Sequence, residues 1–343
     1  YPTVSTYDMV IHPRENDLVI GTFGRSFWVL DDIRPLRELA AAGLDELDKP
    51  IKAFDSPDAY LANWRQAMGT RFAADAMYSG DNRPRGAMIT YSVNKELSKK
   101  SEKADAPANS SRSWGRRGSD EEQVKVAIFN ESGENIRNFE VTPEHNGVNR
   151  MQWGLDRKGM QRPSRRAVRP NMPEPRGGSV LPGTYKIVMS YADSKDSTMV
   201  TVHYDPRIEM PMEALEATAE LEDEAGTLGA ELAEAVQSLV TAESIMKVNK
   251  GLLDADPRSA DELKAVRDAH KATTEELEAI FAMIFGSNDD DRQGIVRNPE
   301  VTVMSRLYGA GRYLGNDIDG PGVTEQNLLR LAKEAVAEAM ETI

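Results

Sequence analysis

Cysteine is absent from this 343-residue chain, which excludes disulfides, thiolate metal centres and a cysteine nucleophile together. Aromatic residues make up only 6% and histidines number four, so stacking platforms and imidazole clusters have little material. No apolar run approaches the roughly 18 residues of a membrane span; the longest are short stretches such as Ile187-Val-Met189. The chain opens at Tyr1 with neither an initiator Met nor the basic-then-apolar start of a signal peptide, and is read as part of a longer protein. The lack of thiols leans toward an exported, bacterial setting.

What is present has an ordinary globular balance, 40% hydrophobic and 29% charged, over a length that suits two or three domains. The net charge of −14 is unevenly placed: residues 209–343 hold 28 acidic and 12 basic side chains, a balance of −16, which leaves +2 for residues 1–208. An acidic C-terminal unit with a boundary near 208 follows, and its surface argues against nucleic acid as a partner.

Short runs with turn signals between them fill the N-terminal part. Asp8 to His12, Asp17 to Thr22 and Ser26 to Leu30 read as three antiparallel strands, and Asp31-Asp32 as the cap of a short helix. Residues 46–83 lack a period and are expected to be an extended connector. A β-sandwich is expected over 84–207, with strands at Gly86 to Val93, Val124 to Phe129, Ile136 to Val141, Asn149 to Trp153, Pro182 to Tyr191 and Thr198 to Tyr204, a turn at Asn130 to Gly133 and another over Ala192 to Ser197. Loops are expected at about 95–122 and 157–179. From 208 the period becomes helical: Ala225, Leu232, Leu239 and Met246 form one heptad row, Leu221, Leu228, Ala235 and Ala242 another. Gly251 and Pro257 predict a break, and Ser259 with Glu262 a capping box. The second helix carries a seam of Leu263, Val266, His270, Thr273, Leu277, Ile280 and Ile284, and two more helices are expected over Pro299–Leu314 and Thr324–Thr342. The expected fold is multidomain, mixed all-β and all-α: a terminal propeller blade over 1–45, an Ig-like sandwich and an antiparallel four-helix bundle.

The stretch Val10 to Ile33, VIHPRENDLVIGTFGRSFWVLDDI, closely resembles the last blade of bacterial sortilin-like β-propeller proteins with BNR (Asp-box) repeats. The Gly86-Ala87 strand, the Gly133 turn, Gly147-x-Asn149 with Trp153, and Pro182-Gly-Thr-Tyr185 are similar to the Ig-like domain of flagellar hook-cap proteins. The terminal helices match the family tail in the spacing of Leu307, Thr324 and Gln326. The resemblance implies an exported protein whose propeller blades precede Tyr1 and pair with this chain. Family members are often labelled glycosyl hydrolase or sialidase-like, but this chain holds no Asp-box, and it has Phe23 where the family pattern most often has His.

Glycoside hydrolysis requires two carboxylates across a cleft, or a Tyr nucleophile with an acid partner. Asp31 and Asp32 are neighbours and point apart, so no catalytic residue is assigned. Arg14, Phe23 and Arg25 are the candidate binding residues, a cationic and aromatic patch for an extracellular glycan or protein. The histidines are scattered without ligand spacing, and Asp289 to Asp291 and Asn316 to Gly320 lack the spaced oxygens of a calcium loop, so no metal or cofactor is expected. The basic segment Arg157 to Arg176 is read as docking on the acidic helices or as a solvated loop, in preference to holding nucleic acid. The expected role is a non-catalytic accessory region that braces the propeller and mediates interactions; the alternative is part of a glycoside hydrolase whose catalytic residues lie upstream.

Overall fold

The computed structural model describes residues 3–62, 83–97, 122–169, 172–287, 301–315 and 320–343. Most of the expected 95–122 loop, the acidic residues 289–291 and residues 316–319 lie outside these residues. The chain divides into a β unit, Tyr1–Arg157 with Ser179–Ile208, and a helical unit, Lys158–Gly178 with Glu209–Ile343.

The β unit begins with a three-stranded antiparallel meander: β1 (Thr6–Ile11), β2 (Leu18–Thr22) and β3 (Phe27–Leu30). A short helix, α1 (Arg34–Ala42), follows. Its cap differs from expectation. Ile33 occupies the cap position without a side-chain bond, and Asp32 instead takes a left-handed turn at φ 48° with its carboxylate on Arg34. Pro35 in the first turn supplies the start, since it lacks the N–H a cap would satisfy.

The expected connector supplies two strands: β4 (Ile51–Ala53) and β5 (Ala59–Leu61). Three residues each are too few to show a period, which is why they read as irregular. The strands β6 (Ala87–Val93), β7 (Val124–Phe129), β8 (Asn135–Val141), β9 (Gly147–Trp153), β10 (Asp156–Lys158), β11 (Arg176–Ser179), β12 (Gly183–Tyr191) and β13 (Ser194–Tyr204) follow. They form a three-stranded sheet, β4-β6-β9, and a five-stranded sheet, β5-β13-β12-β7-β8, with β10-β11 as a separate ribbon.

Alternation decides which side chains close the core. Val124, Val126 and Ile128 of β7, Tyr185, Ile187, Met189 and Tyr191 of β12, and Val200 and Val202 of β13 face Ile89, Tyr91 and Val93 of β6 and Met151 and Trp153 of β9. Trp153 stands edge-on to Tyr185 at 5.4 Å between ring centres and donates its indole N–H to the Asp156 carbonyl at 3.1 Å. β6 is buried on both faces and so shows no alternation in its sequence. The β7–β8 turn closes at Gly133, φ 82°, while the β12–β13 turn is only Ala192-Asp193, because β13 begins at Ser194 rather than Thr198. Gly86, at φ 101°, has no room for a side chain: a Cβ there would stand 2.2 Å from the Trp153 carbonyl oxygen.

In the helical unit, α2 (Met212–Ala255) runs through Gly251 and stops before Pro257; α3 (Ala260–Phe285), α4 (Val303–Leu314) and α5 (Val323–Thr342) complete it. The Ser259–Glu262 capping box is formed, and Thr302 with Ser305 forms another, which places the start of α4 after Pro299. Leu232, Val236, Leu239 and Val240 pack with Phe281, Ile284, Val303, Val336 and Ala339. α2 and α3 are antiparallel, pinned by the His270 ring nitrogen on the Met246 carbonyl at 2.8 Å and by Arg267 on the Leu253 carbonyl at 3.1 Å. Val266 and Thr273, expected on the seam, are exposed, as are Ile245, Val248 and Leu252 opposite. The packed cluster of the helical unit holds only the other end of this hairpin, so its far end does not bury a full seam.

The basic segment lies on the helices. Arg165 reaches Glu278 at 3.1 Å and Glu243 at 3.7 Å and stacks on the Phe281 ring at 4.3 Å. Gln237 of α2 bonds the backbone at Ser164, Arg166 and Val168.

Truncation of Trp153 to Ala is expected to cost about 3–5 kcal/mol, and Gly86→Ala more than about 1 kcal/mol, both read from urea unfolding of the full chain. At the end of β13, Asp205 is buried, and the hydrogen-bonded Arg207 holds its carboxyl down at about 2. Since the folded value lies below the ordinary one, its contribution is complete above about pH 4 and lost as pH falls toward 2. The stability gap between the wild type and Asp205→Asn should therefore narrow over that window; a gap unchanged with pH would count against the pairing.

Candidate functional site

Two features of the β unit stand out: an uncovered sheet and a cavity. In β1 every residue is exposed, and the same holds for β3. Strand alternation places Met9 and Ile11 on the face opposite Val10, and Phe27 and Val29 opposite Trp28 and Leu30, while Tyr7 stands at a bulge of β1. Both faces are therefore apolar and open, with Phe27 70% exposed.

The candidate binding residues belong to this sheet but do not meet. Arg14 sits in the β1–β2 turn, where it pairs with Glu15 at 2.7 Å. Phe23 and Arg25 sit in the β2–β3 turn at the other end of β2, separated from Arg14 by about 16 Å of strand at 3.3 Å per residue. Phe23 is 70% exposed and stacks on Tyr7 at 5.5 Å; the Arg25 carbonyl accepts the Trp28 indole N–H. The three-residue patch is corrected to two separate ends of one meander, a consequence of antiparallel turns alternating sides.

A cavity of about 610 Å³ opens between the end of β3, α1, β9 and the β8–β9 loop. Arg150 of β9 organises it. Its Nε donates to Thr90 Oγ1 at 3.1 Å, and one terminal nitrogen donates to the carbonyls of Asp31 and Asp32 at 2.7 and 2.9 Å. Arg34 closes the turn from the other side, bonding the Asp32 carboxylate at 2.7 Å and the Glu15 and Arg14 carbonyls at 3.2 Å. The meander is thus fastened at one end, where Asp17 also accepts the Asp32 N–H at 2.9 Å and Ile33 donates to Asn16. No sequence signal marked Arg150; it falls on the outward-facing phase of β9, where an arginine reads as solvated.

The cavity offers little acid–base chemistry. The Asp32 carboxylate is closed to solvent and engaged by Arg34. Glu144 is largely exposed beside His145, at 3.9 Å. Burial first, and the Glu144 charge second, push the Tyr91 phenol up to about 12, so it stays protonated at neutral pH. Among the described residues no three His, Asp or Glu side chains gather as a metal site, and no helix is long and apolar enough to cross a membrane. Comparison with models of known families, with curated proteins and with solved structures gives no match.

Replacing Arg150 by Leu frees two carbonyls and the Thr90 hydroxyl, and should lower stability by about 1.5–3 kcal/mol. Amide exchange should accelerate in α1 first; unchanged protection there would contradict the role given to Arg150.

Proposed function

We propose that this chain is a non-catalytic accessory region of an exported sortilin-like β-propeller protein, in which β1–β3 are strands of the last blade. The observation that carries this reading is the meander with two open apolar faces. Three strands with neither face packed lack the burial that makes a small sheet stable, and an apolar surface of this extent marks an interaction site. Neighbouring blades of the propeller are its natural cover, since blades pack face to face through such residues. In this reading the two facing sheets are an Ig-like sandwich and the helices a bundle, and together they brace the propeller. The geometry of the cavity supports a non-catalytic role: its buried carboxylate, Asp32, holds Arg34 at 2.7 Å through one oxygen and helps fasten the turn.

The test is assembly. Val10→Asp with Val29→Asp, which flank Val19 on one of the open faces, changes that face without touching the closed core, so the thermal midpoint of the isolated chain should move by less than about 4 °C, the shift of roughly 1 kcal/mol. In a polypeptide carrying the propeller blades, the same pair should abolish soluble assembly. Normal assembly of the doubly charged protein would overturn the proposal, and so would turnover of glycans by this chain alone.

A further inference from the structure

β9 is an edge strand whose outer side is unpaired. In the sheet β4-β6-β9 it pairs with β6 alone, and the hydrogen bond from the Phe54 N–H to the Thr90 carbonyl shows that the even-numbered residues of β6 turn their backbone groups toward β4. The odd-numbered ones, from Ala87 to Val93, therefore serve β9, where their register partners are Trp153, Met151, Asn149 and Gly147. Val148, Arg150 and Gln152 are left with their N–H and C=O groups directed away from the sheet. Among the described residues none of these six groups has a hydrogen-bond partner.

The cavity organised by Arg150 lies along this edge. Successive residues of a strand point to opposite faces, so a pocket on one face would meet every second residue; this one is lined by all five from Val148 to Gln152, which places it beside the strand. Its wall is apolar at Leu30, Leu36 and Val148, all exposed. Its cation is Arg150, whose guanidinium bonds only a hydroxyl and two carbonyls, leaves one terminal nitrogen unbonded and forms no ion pair among the described residues. The two carboxylates in the lining do not answer that charge: Asp32 is closed to solvent and holds Arg34, and Glu144 is an exposed loop residue 3.9 Å from His145.

An open strand edge, an apolar wall and a guanidinium without a counter-ion together complement an extended peptide that carries an acidic side chain. We infer that β9 takes up an extended segment of a partner polypeptide as a fourth strand of its sheet, antiparallel to β9, with a carboxylate residue opposite Arg150. Two residues further along the segment, on the same face, is the position opposite Val148, where the apolar wall favours a large aliphatic side chain. The pattern read by this edge is thus Glu or Asp, any residue, then Leu or Ile. Every residue used lies in the β unit, and the inference does not rest on the propeller reading.

Titration calorimetry of the full chain with acetyl-Thr-Val-Glu-Val-Leu-Thr-amide tests it directly. One saturable site with a Kd below about 1 mM is expected, and Lys in place of Glu should weaken it by about fivefold, the scale of one exposed ion pair. Backbone parity separates strand addition from adsorption to the apolar wall. N-methylation of the Glu residue, whose N–H faces β9, should weaken binding at least about tenfold, whereas N-methylation of the Val that follows it, whose N–H faces away, should weaken it by less than about twofold. Bound peptide should also slow amide exchange at Val148, Arg150 and Gln152, with far less change at Asn149 and Met151, which already serve β6. Absence of a saturable site, equal binding of the Lys peptide, equal effects of the two methylations, or unchanged exchange at the three open amides would each overturn the inference.

Discussion

The structure of the β unit depends on one constraint: the inward rows of two sheets must close on each other with no gap. Trp153 is the largest side chain in that closure, and its surroundings are unforgiving. Its carbonyl excludes any side chain at Gly86, its indole N–H is satisfied by Asp156, and its ring meets Tyr185 edge-on. Burying a group of this size without an unmet polar atom favours one register of β6 against β9, from Ala87 opposite Trp153 to Val93 opposite Gly147. The outer face of that same pair then presents Thr90 and Arg150, and these hold the turn from which the meander departs.

A contrast in burial runs through the unit. The facing sheets bury their apolar rows, whereas β1 and β3 carry equally apolar residues that are exposed. The meander is nonetheless anchored: Arg34 and Arg150 grip the Asp31-Asp32 turn from opposite sides, and the Asp17 carboxylate and the Asn16 carbonyl accept the Asp32 and Ile33 N–H groups at the same end. The segment is thus fastened at one end and exposes apolar residues on both faces. The helical unit shows the opposite habit. Its basic segment is drawn onto acidic helices through Arg165 and Gln237, so charges that looked free in the linear chain are used internally.

Much of this was legible in the sequence where a period is long enough to be read. β7, β12 and β13 alternate cleanly, the heptad row Ala225, Leu232 and Leu239 is buried, and Ser259 with Glu262 caps as its spacing predicts. Legibility failed where an element is short or its environment uneven. β4 and β5 have three residues each and passed as connector; Gly251 lies inside α2 because an exposed helix end tolerates glycine, whereas Pro257 does end it. Val266 and Thr273 follow the heptad arithmetic yet find no partner layer. Among functional residues, Arg14, Phe23 and Arg25 are close in the chain but divided by the ends of β2, and Arg150 gave no local signal because its partners are 60 and more residues away.

The structure sets an exposed apolar meander, β1–β3, beside two facing sheets that are closed on themselves. Residue-resolved amide hydrogen exchange of the chain alone tests it most directly. The account predicts slow exchange, near the global unfolding limit, in β6, β7, β9 and β12, and exchange at least about a hundredfold faster in β1–β3, a local stability lower by roughly 2.7 kcal/mol. Protection of β1–β3 equal to that of the closed core would show a meander stable without a partner, and would contradict the account.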